Sequence, residues 1–188
     1  ILNDAEARIL FVSPEFVSLY ESIKDQLTTI QKVIVLANQH PDYPTFEQWR
    51  DAQSTTDPDI DVKPDDVAVQ MYTSGTTGHP KGVQVSHYAF YALNEFAEKS
   101  GIPEEEWTLW TERDVSLIAM PNFHIGGTGW ALIGLYAGAK NVVLSEFTPA
   151  GCLQAIRDYG ISKLFIVPAA MQFVLADPKG SILAEYID

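Results

Sequence analysis

The chain has 188 residues, 46% of them hydrophobic, and a formal net charge of −13 from 25 acidic against 12 basic residues. That is the composition of a folded domain rather than a disordered segment, and its field repels nucleic acid and anionic membrane, which excludes both as expected partners. No apolar run approaches the ~18 residues needed to span a bilayer, and the single cysteine, Cys152, excludes an internal disulfide and a cysteine metal cluster.

The predicted elements alternate strand and helix. Ile9-Leu10-Phe11-Val12 is wholly apolar, as a strand buried on both faces should be. Residues 14–27 read as a helix, with Ser13 as N-cap and Pro14 at its first position. Residues 33–36 form a second buried strand, and His40 follows in a loop without partners. Asp51, Asp57, Asp59, Asp61, Asp65 and Asp66, with Pro58 and Pro64, make a polar surface stretch. Its segment 57–66 is expected to link a first βαβ segment, 1–56, to a second α/β segment, 67–188.

Residues 67–72 form the third strand, which runs into a Gly/Ser/Thr loop. A helix is predicted over 86–99, with Ser86 as N-cap, His87 packing at its start and Gly101 beyond its end. Glu104-Glu105-Glu106 suits a solvated face. Residues 115–120 form the fourth strand, stopped by Pro121; a helix follows from Ile125 to Tyr136, ending at Gly138. Residues 141–144 form the fifth strand. Thr148 caps a helix that Pro149 begins and Gly160 ends, and Cys152 sits in it as a small buried apolar residue, compatible with a reduced, cytoplasmic setting. Residues 163–167 form the sixth strand, and Pro168 starts another helix. This alternation predicts an α/β fold, a mainly parallel sheet flanked by helices. Ligands of such sheets bind outside the carboxyl ends of the strands, which singles out the loops after Tyr72 and after Met120.

The first of these reads Tyr72-Thr73-Ser74-Gly75-Thr76-Thr77-Gly78-His79-Pro80-Lys81-Gly82-Val83. Glycines at 75, 78 and 82 permit positive φ and close approach of backbone to a ligand. The hydroxyls of Thr73, Ser74, Thr76 and Thr77 can donate to oxyanions, successive amides form an anion nest, and Lys81 adds a positive charge. Taken alone, the composition also suits a flexible turn. A Walker loop is excluded, because that motif needs Gly-Lys followed by Ser or Thr, whereas Lys81 lies between Pro80 and Gly82.

The segment resembles, at every position but the variable His79, the phosphate-loop signature of the adenylate-forming (AMP-binding) superfamily: acyl-CoA synthetases, luciferase and peptide-synthetase adenylation domains. Chance does not produce so long a match from residues of ordinary abundance. Ser86-His87, Pro121-Asn122-Phe123-His124-Ile125-Gly126-Gly127, Leu2-Asn3-Asp4 and Phe165-Ile166-Val167-Pro168 are similar to further family text, so the likeness runs along essentially the whole chain. Phe123-His124 resembles the acyl-CoA synthetase branch more than the amino-acid activators.

The resemblance implies part of the large N-terminal domain of an acid–CoA ligase. Such an enzyme uses ATP, Mg2+ and coenzyme A on a small carboxylic acid of the fatty or a related class, through an acyl-adenylate. It implies that Thr73, Ser74, Gly75, Thr76, Thr77 and Gly78 hold the phosphates and that Lys81 anchors the loop or a phosphate. It further gives Thr76 a place in the magnesium shell and His124 a place beside the carboxylate and α-phosphate. Trp130 is either a wall of the acyl tunnel or core packing. The family's later motifs and its small C-terminal domain are not found before Asp188, so the chain is expected to be a fragment that folds but does not complete adenylation. Another adenylate-forming activity and a non-catalytic nucleotide-binding module are the alternatives. Homo-oligomerisation stays open.

Overall fold

A strand that is apolar at successive positions needs cover on both faces, and β2 has it. In the computed structural model, which describes residues 1–75, 78–90, 92, 99 and 109–180, β1 (Ile9–Val12) and β2 (Lys32–Val35) pair in parallel, with Phe11 opposite Ile34. Ile34 and Val35 are fully buried. Val12, Val33 and Val35 pack with Leu10, Val17, Tyr20, Ile30 and Tyr43, while Phe11, on the alternate face, meets Phe46 and Trp49 edge-on.

The helix expected over 14–27 is a composite. A 3-10 turn (Pro14–Phe16) leads into α1 (Val17–Ile23), and a second 3-10 turn (Lys24–Gln26) closes it. Ser13 makes no side-chain cap bond. Tight turns of this kind satisfy end groups that no capping side chain reaches.

By contrast, α2 (Phe46–Asp51) carries a full capping box. Gln48 N–H donates to Thr45 Oγ1 at 3.4 Å, and Thr45 N–H donates to Gln48 Oε1 at 3.0 Å. His40 corrects an expectation: its Nδ1 accepts from the backbone N–H groups of Asp42 and Tyr43, each at 3.2 Å, and closes the turn ahead of Tyr43.

β3 (Val67–Thr73) pairs with β4 (Lys81–Ser86), a strand not expected from the sequence. Residues 74–80 are too few for the crossover that a parallel pair requires, so the two strands form a hairpin. Ser86 is the last residue of β4 and directly precedes the helical residues 87–90, at the N-cap position expected for it. Most of the helix expected over 86–99, with Gly101 and the glutamates at 104–106, lies outside the described residues.

The chain divides into two compact units, Ile1–Gln84 and Val85–Asp188. The acidic stretch 57–66 lies within the first unit.

In the second unit β5 (Val115–Ile118) is central, flanked in parallel by β6 (Lys140–Val143) and β7 (Lys163–Leu164). The sixth predicted strand is shorter than expected. Residues 165–167 leave the ladder so that Val167 stands at the N-cap of α5 (Pro168–Ala176), with Pro168 at its first position.

Helix α3 spans Ile125–Tyr136 and α4 spans Pro149–Tyr159. In α4, Gly151 N–H donates to Thr148 Oγ1 at 3.0 Å, and Gly160 closes the helix in the left-handed region at φ 61°. The core joins Leu117 and Ala119 to Cys152, Leu153, Ala155, Ile156 and Val174, and burial raises the Cys152 thiol pKa.

The entry to β5 is held by Asp114. Its carboxylate accepts from Ser162 Oγ and from Thr111 N–H, both at 2.8 Å. Burial pushes its pKa up, but these donors outweigh that effect and hold it below the usual range. Among the described residues, no helix is long and apolar enough to cross a membrane.

Candidate nucleotide-binding site

The loop leaves β3 at Thr73 and returns at Lys81, so its ends are fixed by a paired ribbon. Gly75 has φ +60° and Gly78 φ +82°. A Cβ on Gly75 would lie 2.5 Å from the carbonyl oxygen of His79, so glycine is required there twice, by torsion and by space. Gly78 has nothing within 4 Å of its missing Cβ and is required by torsion alone.

The Lys81 stem passes over Gly75, its Cγ 3.6 Å from that same Cβ position. Thr73, Ser74, Gly78, His79, Pro80 and Lys81 are exposed and Gly75 is half-buried, so the turn stands open to solvent. Thr76 and Thr77 lie outside the described residues.

Gly82 differs from the expectation of close ligand approach. Its missing Cβ makes room for side chains of the facing strand, with Gln70 Nε2 2.7 Å and Tyr72 Cζ 3.2 Å from the position it would take.

His124 belongs to the second unit, at the carboxyl edge of its sheet, in the turn that follows β5. It is the N-cap of α3, in extended backbone, and its Nδ1 accepts from Gly126 N–H at 3.1 Å. With Nδ1 accepting, the ring proton resides on Nε2, which is left as a donor on an exposed side chain.

The turn is fastened from three sides. His124 N–H donates to Pro121 O at 3.1 Å, Thr128 Oγ1 donates to Asn122 O, and Gly127 is buried against the backbone of 120 and 121. A Cβ on Gly127 would lie 2.3 Å from Pro121 O and 2.5 Å from Met120 O. Phe123 is 83% exposed.

Beside this turn, Phe165 at the end of β7 touches the open side of Gly126, and Trp130 packs against both Phe165 and Trp110. The buried Trp130 Nε1 has no acceptor among the described residues. The sequence pointed to His124 and Trp130. Phe165 falls in a segment singled out only for its likeness to the family, and Thr128 carries no signal; the contacts of both depend on a fold-back that residue types do not announce.

A family model described as "AMP-binding enzyme" matches residues 1–186. The chain belongs to the AMP-binding enzyme family. This AMP-binding chain is 35% identical over 179 residues, 95% of its length, to the fatty acid–[acyl-carrier-protein] ligase ScoC of Streptomyces coeruleorubidus. Among solved structures it is similar to the anthranilate CoA ligase AuaEII in complex with anthranoyl-AMP, with a TM-score of 0.79 and 28% identity over 96% of this chain and 35% of that one. It is also similar to ATP-bound MatB from Rhodopseudomonas palustris, with a TM-score of 0.72 and 25% identity over 95% of this chain and 33% of that one. The chain spans 32% of the length of ScoC, so it corresponds to about a third of such a relative.

Proposed function

We propose that this chain is the phosphate-gripping part of an ATP-dependent, AMP-forming acid–CoA ligase. In that reaction a carboxylate oxygen attacks the α-phosphorus of ATP and displaces pyrophosphate. The resulting acyl-adenylate then gives its acyl group to a thiol and releases AMP.

The observation that carries the reading is the open turn at Gly75 and Gly78, with its positive φ angles and the Lys81 stem across it. Loop amides and the hydroxyls of Thr73, Ser74, Thr76 and Thr77 would hold the β- and γ-phosphates, and Lys81 would balance their charge. Fixed donors of this kind stabilise developing oxyanion charge without reorganising during the reaction. The relatives named as acid ligases and the neighbours bound to ATP and to an acyl-AMP support it.

Magnesium commonly takes only one or two protein oxygens and completes its shell with water and substrate phosphates. A hydroxyl-rich loop fits that mode, and the described residues contain no group of three acidic or imidazole ligands that would suggest a separate metal cage. We assign Thr76 as the protein donor. The ion, when bound, neutralises phosphate charge.

His124 would direct its Nε2–H at the carboxylate or the α-phosphate oxygen. Trp130 and Phe165 would offer an apolar wall to the acyl group, in keeping with a fatty or related acid. The test is carboxylate-dependent ATP–pyrophosphate exchange by the full-length protein that carries this segment. Exchange that rises with added fatty or aryl acid is expected; its absence with every acid tried would overturn the reading.

A second reading concerns the acceptor. ScoC is named a ligase for acyl-carrier-protein, not CoA, which favours a protein-borne thiol. Offering CoA and a holo carrier protein separately distinguishes the two.

A further inference from the structure

The β3–β4 ribbon carries a polar ladder on one face. By strand alternation Gln70 and Tyr72 share a face, as do Gly82 and Gln84 on the partner strand. Gln84 Nε2 donates to Gln70 Oε1 at 3.2 Å, and Gln70 Nε2 donates to the Tyr72 hydroxyl at 2.9 Å. Tyr72 in turn donates to the Asp4 carboxylate. Gly82 lies beneath this ladder, which a Cβ there would strike.

Asp4 stands on an N-terminal turn closed by Ala5 N–H to Ile1 O at 2.8 Å and Ala7 N–H to Leu2 O at 3.1 Å. The preceding residue ties that turn to the main body of the first unit. Asn3 Nδ2 donates to Gln26 O at 2.7 Å, and Asn3 Oδ1 accepts from Thr28 N–H at 3.0 Å, just ahead of β2. Asn3 and Asp4 thus clamp the loop-bearing ribbon to the segment that feeds the β1–β2 sheet.

We propose that Asp4 and Tyr72 are positioning residues that hold the two ends of the 74–80 loop in the geometry that grips a phosphate chain. The inference rests on the assignment of that loop above. An isolated two-stranded ribbon is marginal in water, and a ribbon with weakly buried faces is poorly fixed in register. Both strands here are at best half-buried. The Gln84–Gln70 bond is the side-chain link across the ribbon, and the Gln70–Tyr72–Asp4 chain carries it along β3 to the N-terminal turn, so together they set where Thr73 and Lys81 stand. The Asp4 bond also holds the Tyr72 phenol above its ordinary pKa.

The test is hydrogen exchange of the whole chain, followed by mass spectrometry in peptides covering 73–83. Asp4→Ala removes the charged acceptor of the Tyr72 hydroxyl, Tyr72→Phe removes that bond and the one from Gln70, and each should speed exchange there at least about tenfold. Peptides covering Ile9–Val12 and Lys32–Val35 should keep the parent rate. Asp4→Asn retains a neutral acceptor oxygen and should exchange more slowly than Asp4→Ala, between it and the parent.

Parent-like exchange in both Asp4→Ala and Tyr72→Phe would overturn the proposal. So would Asp4→Asn exchanging as fast as Asp4→Ala, or a rise spread equally over the β1 and β2 peptides. In parallel, calorimetry with magnesium pyrophosphate should show the affinity of Asp4→Ala and Tyr72→Phe reduced about tenfold. Failure of the unsubstituted chain to take up pyrophosphate would sink the loop assignment instead, while the exchange data would still decide the clamp.

Discussion

Gly127→Ala should destabilise the second unit by about 3 kcal/mol, near the top of the usual range for overpacking a tight site, and lower its melting temperature by roughly 10 °C. The new methyl would meet two backbone carbonyl oxygens, at 2.3 Å and 2.5 Å, and neither can swing aside as a side-chain tip would. Relief requires that the 120–121 backbone and the start of α3 separate, which releases the turn that presents His124.

Gly129→Ala, two residues on in the same helix, should act in the opposite sense. Its nearest neighbour would be Ile125 Cδ1 at 3.4 Å, ordinary contact, and alanine in a helix interior gains about 0.5–1 kcal/mol over glycine. Thermal melts of the two variants check both signs, and a Gly127→Ala protein as stable as the parent would remove the close-packing argument for the turn.

Gly75→Ala should weaken magnesium pyrophosphate binding by at least about tenfold, equivalent to ~1.4 kcal/mol. Left-handed backbone costs a residue with a Cβ about 1–2 kcal/mol, and here the Cβ would also strike His79 O at 2.5 Å. The loop must then open at the point where it is tightest. Gly78→Ala incurs the torsional cost alone, since no atom lies within 4 Å, and should lose less affinity than Gly75→Ala. Calorimetric titration of the pair decides the matter: equal losses would mean that chain flexibility, not shape, is what glycine contributes.

Much of this architecture is legible from residue order. The position of β1, the Thr148-Pro149 start of α4, its Gly160 stop and the limits of α3 follow from local rules that act within a few residues, but β1 is not covered on both faces as its apolar run predicts, since Ile9 and Phe11 are exposed. Where reading failed, the deciding interaction was remote or masked. β4 was missed because His79, Pro80, Lys81 and Gly82 look like turn residues, and the alternation of Val83 and Val85 is too short to announce a strand without its partner. Ser86 directly precedes the helical residues 87–90, as a capping residue should, whereas Ser13 stands at the N-cap of a 3-10 turn without making the side-chain bond.

In the candidate site, Gly75 and Gly78 were read for the conformation they adopt. Gly82 was read for the same freedom, yet it is glycine because Gln70 and Tyr72 occupy its side-chain space. No rule of local sequence reveals a neighbour across a ribbon. The Asp4–Tyr72 bond is equally silent in the sequence, since it joins residues nearly seventy positions apart.

The central claim, that the 73–82 loop receives the phosphates of a nucleotide, is tested most directly by titrating isotope-labelled chain with magnesium pyrophosphate and following backbone amide resonances. Saturable shifts concentrated at Gly75, Gly78, His79 and Lys81, with β1 and β2 unmoved, are the predicted result. Stationary loop amides at saturating pyrophosphate, or shifts confined to other parts of the chain, would contradict it.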